Sequence, residues 1–126
     1  MLERKNIMRI KYYYVYILKC SDGTYYVGFS NDPYRRMEEH NEGRNQKCYT
    51  FLRRPVKLLY CCAFSDPVEG IAFEKQLKGW SRKKKEALMN NDISLLKRLS
   101  LPYKQIRFIN GLEEFIKELQ EYEQAS

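Results

Sequence analysis

The stretch YYYVYILKCSDGTYYVGFSNDPYRRMEEH, residues 12–40, decides the fold. Residues 12–19 and 24–29 are rich in β-branched and aromatic side chains, a composition that predicts two strands. Asp22 and Gly23 lie between them and form a dipeptide that tight hairpin turns prefer. The stretch therefore begins as a β-hairpin.

A helix is predicted directly after this hairpin. Asp32 can cap the free amides of a first turn, and Pro33 fits that turn because it has no N–H to leave unpaired. The helix is predicted to run to about Asn41, with Gly43 as a left-handed cap.

Apolar patterns predict the remaining elements. Residues 56–64 form a nearly continuous apolar run, which predicts a third strand buried on both faces. A helix over 67–80 places five apolar side chains toward the core at helical spacing: Val68, Ile71, Ala72, Leu77 and Trp80. Further helices are predicted over 82–90 and 93–99, and an acidic amphipathic helix over 112–122.

The element order ββαβαα, followed by C-terminal helices, predicts an α+β fold with a small, three-stranded, mainly antiparallel sheet and flanking helices. A length of 126 residues suits one domain. Residues 1–11 are expected to be an N-terminal tail, 12–91 the domain, and 92–126 a helical extension packed on it.

The charge is unevenly distributed. The chain carries a formal net charge of +7, but residues 112–126 hold five glutamates and one lysine, which leaves about +11 on residues 1–111. A basic body with many tyrosines suits a nucleic acid, because cations neutralise phosphates while aromatic rings stack on bases. The alternative is that the charge serves only solubility.

The cysteine spacing and the hydropathy argue against a zinc-binding protein and against a membrane-spanning one. The four cysteines, at 20, 48, 61 and 62, show no CxxC spacing and have no partnering histidines, so a zinc site is not predicted. No apolar run approaches the ~20 residues that span a bilayer. With no signal peptide visible, the expected location is the cytoplasm, with reduced thiols.

Two tyrosine motifs and three later residues form a specific pattern. The motifs are 14–16 (YVY) and 26–28 (YVG), and Tyr16 and Tyr26 are ten residues apart. Arg36 follows the glycine by eight residues, His40 by a further four, and Glu74 lies on the helix after the third strand. This pattern resembles the GIY-YIG nuclease superfamily, in particular its small stand-alone bacterial members, which are related to the excinuclease catalytic domain.

The resemblance implies a metal-dependent endonuclease that hydrolyses phosphodiester bonds of DNA, in DNA repair or processing, with structure-selective or nonspecific cleavage. It implies one divalent ion, Mg²⁺ or Mn²⁺, held by Glu74. Tyr16 would be the general base and Tyr26 would hydrogen-bond the water or the phosphate. Arg36 would bind the scissile phosphate, and His40 would help relay the proton. Arg36 and the ion are expected to lower the pKa of Tyr16.

Each of these residues has a structural alternative. Tyr16 can be a core aromatic, since alternation places Tyr14 and Tyr16 on one face of the strand. His40 can be a surface or capping residue. Glu74 can be a helix-surface carboxylate paired with Lys78 at i+4.

Further residues are predicted to contact the substrate. Gly28 suggests a bulge or a close backbone approach to a ligand, and Arg35 a clamp on the DNA backbone. The remaining substrate-side candidates follow the pattern of the stand-alone members or flank Glu74: Asn41, Lys47, Tyr49, Thr50 and Lys78.

Three basic residues, 83–85, either clamp a distant phosphate or form a solvated face. The functional alternative to the nuclease is a non-catalytic nucleic-acid-binding module with the same fold. The acidic helix could also dock a partner protein.

Overall fold

The computed structural model of the protein describes residues 11–99. Its strands are β1 (Tyr13–Lys19), β2 (Tyr25–Ser30) and β3 (Lys57–Phe64), and its helices are α1 (Pro33–Glu42), α2 (Pro67–Lys78), α3 (Arg82–Met89) and α4 (Ile93–Leu99). A single 3₁₀ turn, Phe51–Arg53, precedes β3. The predicted α+β order is confirmed; the tail at 1–10 and the acidic helix at 112–122 lie outside the described residues.

The sheet has the order β2-β1-β3, and both pairings are antiparallel. The hairpin turn forms as its sequence predicts: Gly23 has a φ of 84°, and the carboxylate of Asp22 accepts hydrogen bonds from the amide and the hydroxyl of Thr24 at 3.1 and 2.6 Å. Tyr16 on β1 lies opposite Gly28 on β2 and Cys61 on β3. Tyr16 is therefore in the middle of the central strand, with a paired strand on each side.

Burial on both faces belongs to β1 and not to β3, so the prediction for 56–64 is wrong. Four consecutive residues of β1, Val15 to Leu18, are buried, whereas along β3 Leu59 is 41% exposed and Cys61 is exposed. The reason is the strand order, since β3 is at an edge and pairs with β1 alone.

The helix α2 packs on a stripe that only partly matches the predicted one: Leu77 is buried as predicted, and so is Trp80 beyond the end of the helix, whereas Ala72 is exposed. Its buried residues are Gly70, Phe73 and Leu77, while Val68 is 71% exposed and Ile71 is also exposed. A Cβ at Gly70 would lie 2.7 Å from the ring of Phe29, so the absence of a side chain lets α2 approach β2. The helix is turned toward this glycine, and Phe73 fills the core together with Leu77.

The chain divides into two compact units between Lys78 and Gly79; the predicted boundary at residue 91 stays a prediction. In the second unit, Ser81 caps α3 by accepting a hydrogen bond from the amide of Lys84 at 3.2 Å. The Lys84 side chain is buried over the ring of Trp80, 4.6 Å from its centroid. The basic triplet is therefore not a uniformly solvated face. No helix within residues 11–99 is long and apolar enough to cross a membrane.

Candidate active site

The caps of α1 set the position of two cationic side chains. Asp32 accepts a hydrogen bond from the amide of Arg35 at 3.1 Å, Pro33 occupies the first turn, and Gly43 ends the helix at a φ of 70°. Between these ends, Arg36 and His40 are one turn apart and share a face of the helix. Both reach the phenol of Tyr16 on β1.

His40 joins the hairpin to the loop that follows α1. Its Nε2 is 3.3 Å from the phenolic oxygen of Tyr16, and its Nδ1 is 2.8 Å from Oγ1 of Thr50. The ring of Tyr26 packs edge-on against the imidazole, with centroids 4.9 Å apart. One imidazole therefore connects residues from β1, β2 and the loop.

Arg36 hydrogen-bonds the phenolic oxygen of Tyr16 and pairs with the carboxylate of Glu39 at 3.3 Å. The guanidinium is on the solvent side of the phenol, with the side chain 45% exposed. It borders an open cleft of about 160 Å³, whose lining includes Tyr26, Glu39, His40, Cys48 and Thr50. A phosphate entering this cleft would meet a guanidinium, an imidazole and the phenol of Tyr26, next to the carboxylate of Glu39.

Burial dominates the acid–base properties of these groups. It raises the pKa of Tyr16, and the hydrogen bond and positive charge of Arg36 offset this only in part. Arg36 therefore lowers this pKa, as expected, but by less than burial raises it; the combined effect of Arg36 and a divalent ion stays a prediction. Burial also raises the pKa of Tyr26 to about 12. Burial and the charge of Arg36 lower the pKa of His40, so near neutral pH the site pairs a neutral imidazole with a protonated phenol.

Glu74 acts on the same phenol from the opposite helix. It lies on α2 next to the buried stripe, its side chain is 17% exposed, and its negative charge contributes to the raised pKa of Tyr16. Lys78 pairs with it at 3.3 Å, as the structural alternative predicts. The carboxylate is therefore paired and its charge reaches the phenol of Tyr16; its role as a metal ligand stays a prediction.

One carboxylate suits a magnesium ion that keeps most of its waters. Among residues 11–99, no group of three or more histidine, cysteine or carboxylate side chains is arranged to hold a metal. Carboxylate oxygens such as those of Glu74 are the hard ligands that Mg²⁺ and Mn²⁺ prefer, and waters and a phosphate would supply the remaining ligands.

Gly28 gives space to Tyr16. A Cβ at this position would overlap Cζ and Oη of the tyrosine and lie 2.8 Å from Cε1. The register between β1 and β2 continues without a break through Gly28, so the predicted bulge is absent there; the irregularity lies between β1 and β3, at Ile17 and Leu18. The close approach is to a side chain of the protein itself.

Two of the predicted substrate-binding residues make internal bonds. Asn41 donates to the carbonyl of Val56 at 3.0 Å and accepts from its amide at 2.7 Å, which ties α1 to the start of β3. Thr50 is 1% exposed and bonds His40. The structure therefore gives both side chains a positioning part; their contact with a substrate stays a prediction.

The other substrate-side candidates are exposed. Arg35 bonds Asn31 at 3.1 Å and Glu39 at 3.6 Å, and Lys47 is exposed on the loop. Tyr49 lies on the same loop with the guanidinium of Arg53 stacked 3.7 Å from its ring centroid. Lys78 is held on Glu74. Their role toward a substrate stays a prediction.

Cys48 and Glu39 also belong to the site, although the sequence pattern did not single them out. The sulfur of Cys48 accepts hydrogen bonds from Thr50 at 3.4 Å and from Tyr26, and lies 3.8 Å from Nδ1 of His40. Glu39 pairs with both arginines of α1. Its i+3 spacing from Arg36 was visible in the sequence, whereas nothing in the spacing of Cys48 marks it.

The tyrosine hairpin, the arginine and histidine of α1 and the glutamate of α2 together define a GIY-YIG type of catalytic domain. The family model described as the GIY-YIG catalytic domain matches residues 12–87. The chain therefore belongs to the GIY-YIG family, a family of nucleases.

The chain is also similar to other proteins of known sequence or structure. A UPF0213 protein of Bacillus pumilus is 45% identical over 74 residues, which cover 59% of this chain and 74% of the relative. A UPF0213 protein of Streptococcus pneumoniae is 42% identical over 85 residues, covering 66% and 85%. The solution NMR structure of the protein EF2693 from E. faecalis is 37% identical, covers 64% of this chain and 85% of that one, and superposes with a TM-score of 0.48.

Proposed function

We propose that this protein is a metal-dependent endonuclease that hydrolyses phosphodiester bonds of DNA, with Tyr16, Arg36, His40 and Glu74 as its centre. The observation that carries the proposal is the buried phenol of Tyr16, which contacts His40 and Arg36, two residues that line an open cleft, and on which the charge of Glu74 acts. Family membership and the basic charge of residues 1–111 support DNA as the substrate.

The residues divide the reaction between them. Arg36 binds a non-bridging oxygen of the phosphate and stabilises the charge that develops on it. Tyr16 takes a proton from the attacking water while its own proton passes to His40. Tyr26 borders the cleft and orients the water or the phosphate. A divalent ion held by Glu74 would supply Lewis-acid stabilisation of the phosphate and the leaving oxygen.

A raised pKa at Tyr16 fits a base that is normally protonated. The phenol must first give up its proton, and the neutral His40 at 3.3 Å is placed to receive it. A phenolate with a high pKa is a strong base once formed, although few molecules hold it at neutral pH. Because the proton stays on His40, the arrangement supports slow hydrolysis that accelerates with pH only while His40 loses its proton, below the ordinary imidazole pKa, and then levels off.

A non-catalytic DNA-binding module is the second candidate, and the ion pair of Glu74 with Lys78 favours it. At 3.3 Å the ammonium partly neutralises the carboxylate that would hold the metal. In a binding module the same cations would contact phosphates without cleavage, and affinity would fall steeply with salt.

The test is cleavage of labelled single-stranded, duplex and branched DNA with Mg²⁺ or Mn²⁺ by wild type, Glu74→Gln and Glu69→Gln. Glu69 is an exposed carboxylate on the same helix and serves as the matched control. We expect wild type and Glu69→Gln to cut at least one substrate, and Glu74→Gln to lose the activity. Binding without cleavage by all three proteins would establish the second candidate instead.

A further inference from the structure

Thr50 is buried at 1% exposure, yet its hydroxyl is central to a chain of hydrogen bonds. Oγ1 is 2.8 Å from Nδ1 of His40 and 3.4 Å from the sulfur of Cys48. Its hydroxyl is engaged by neighbouring side chains of the protein. Its contacts point to a role exerted through His40.

A count of protons decides the direction of these bonds. A threonine hydroxyl has one proton to donate and can accept others. Oγ1 of Thr50 donates its proton to the sulfur of Cys48 at 3.4 Å, and the hydrogen bonds at this sulfur lower the pKa of the Cys48 thiol despite burial. Thr50 therefore gives its proton to Cys48 and accepts the proton of Nδ1–H from His40.

This assignment leaves Nε2 of the imidazole without a proton. Nε2 is the atom 3.3 Å from the phenolic oxygen of Tyr16, which can then donate to it while accepting from Arg36. We propose that Thr50, oriented by Cys48, is a positioning residue that holds His40 in the Nδ1–H tautomer, so that Nε2 receives the proton of Tyr16.

The inference deepens the proposed nuclease function and rests on it for its catalytic meaning. In the step, a water proton moves to the phenolic oxygen as the proton of Tyr16 moves to Nε2, and the resulting imidazolium keeps its Nδ1–H on Thr50. The hydroxide adds to phosphorus, and the electron pair of the broken P–O bond leaves on the departing oxygen. With the opposite tautomer, an N–H would face the phenol, and the tyrosine proton would have no acceptor.

The tautomer can be measured without any substrate. His40 is the one histidine of the chain, so a long-range ¹H–¹⁵N spectrum of the labelled full-length protein, above the pKa of His40, shows a single imidazole. We expect a protonated, pyrrole-type Nδ1 and an unprotonated, pyridine-type Nε2. Thr50→Val keeps the shape but removes the acceptor, and should move the signals toward the Nε2–H form that free histidine favours; Thr50→Ser should restore the wild-type pattern.

Cys48→Ala is a second variant that changes no fully buried group. It removes the sulfur that takes the Thr50 proton, so the hydroxyl can turn toward Nδ1, and the Nε2–H population should rise. Cleavage rates of the variants should fall at least tenfold in Thr50→Val and recover in Thr50→Ser. An Nε2–H signal in wild type, or an Nδ1–H signal unchanged in both Thr50→Val and Cys48→Ala, overturns the inference. A wild-type Nδ1–H signal that responds to these variants, in a protein that cuts no DNA, would instead refute the nuclease and leave the tautomer assignment standing.

Discussion

Replacement of Gly28 by alanine places a methyl group against the ring of Tyr16. The new Cβ would overlap Cζ and Oη and lie 2.8 Å from Cε1, whereas carbon atoms in contact stay about 3.5 Å apart. The ring must then withdraw by roughly 1 Å, which strains the buried core and breaks the 3.3 Å bond to His40. The net cost should be about 1–3 kcal/mol in the free energy of unfolding.

The same substitution in a Tyr16→Leu background tests the cause. Leucine lacks the atoms that the methyl group meets, and alanine is favoured over glycine inside a strand by roughly 0.5–1 kcal/mol. Gly28→Ala should therefore be neutral or stabilising in that background. Urea unfolding of the four proteins, with equal m-values, gives the cycle. An equal loss of stability in both backgrounds would refute the steric explanation.

Three further predictions concern neighbouring residues. Asn41→Ala should destabilise the protein by about 1–3 kcal/mol in urea, because the buried amide and carbonyl of Val56 lose their partner; an unchanged midpoint contradicts this. The raised pKa of Tyr26, about 12, means that the folded protein holds this proton more tightly than the unfolded chain, so stability should fall as the pH rises from about 10 to about 12. Tyr26→Phe should make that decline shallower in alkaline denaturation, and an identical decline argues against the burial of the phenol. Cleavage by wild type should rise with pH as His40 loses its proton, below the ordinary imidazole pKa, and then level off, since only a neutral imidazole can receive the Tyr16 proton; a rate that falls as His40 becomes neutral would remove His40 as the acceptor.

Local signals predicted the hairpin and the first helix well. The turn at Asp22 and Gly23, and the caps at Asp32 and Gly43, depend on bonds between residues at most four positions apart. Such local contacts do not depend on how the rest of the chain packs. For this reason the bounds of these elements differ from the sequence prediction by only a residue or so.

Burial could not be predicted in the same way, because it depends on strand order. The apolar run of β3 has the composition of a central strand, but β1 takes the centre and leaves Leu59 on an exposed face. On α2, helical spacing allowed more than one apolar stripe, and the small size of Gly70 against Phe29 selected one that contains Phe73. The sequence alone does not reveal such a contact.

In the candidate site, too, local spacing predicted some contacts, whereas contacts through loops could not be predicted. The i,i+4 spacing of Arg36 and His40 predicted a shared face, and the structure places both on Tyr16. The bonds from Thr50 to His40 and from Asn41 to Val56 run through an irregular loop, where residue spacing has no fixed geometry. The sequence therefore marked Thr50 and Asn41 as notable but not for the contacts that they make.

Tyr16 is the group on which the proposed chemistry depends, and a single-turnover measurement with Mg²⁺ tests it. Tyr16→Phe keeps the buried ring and removes the hydroxyl, and Tyr34→Phe removes a hydroxyl from a tyrosine that is 67% exposed. On a DNA substrate that wild type cleaves, we expect Tyr16→Phe to be slower by about 10²–10⁴-fold and Tyr34→Phe to match wild type. Equal cleavage rates for wild type and Tyr16→Phe, with both proteins folded, would contradict a catalytic centre built on this phenol.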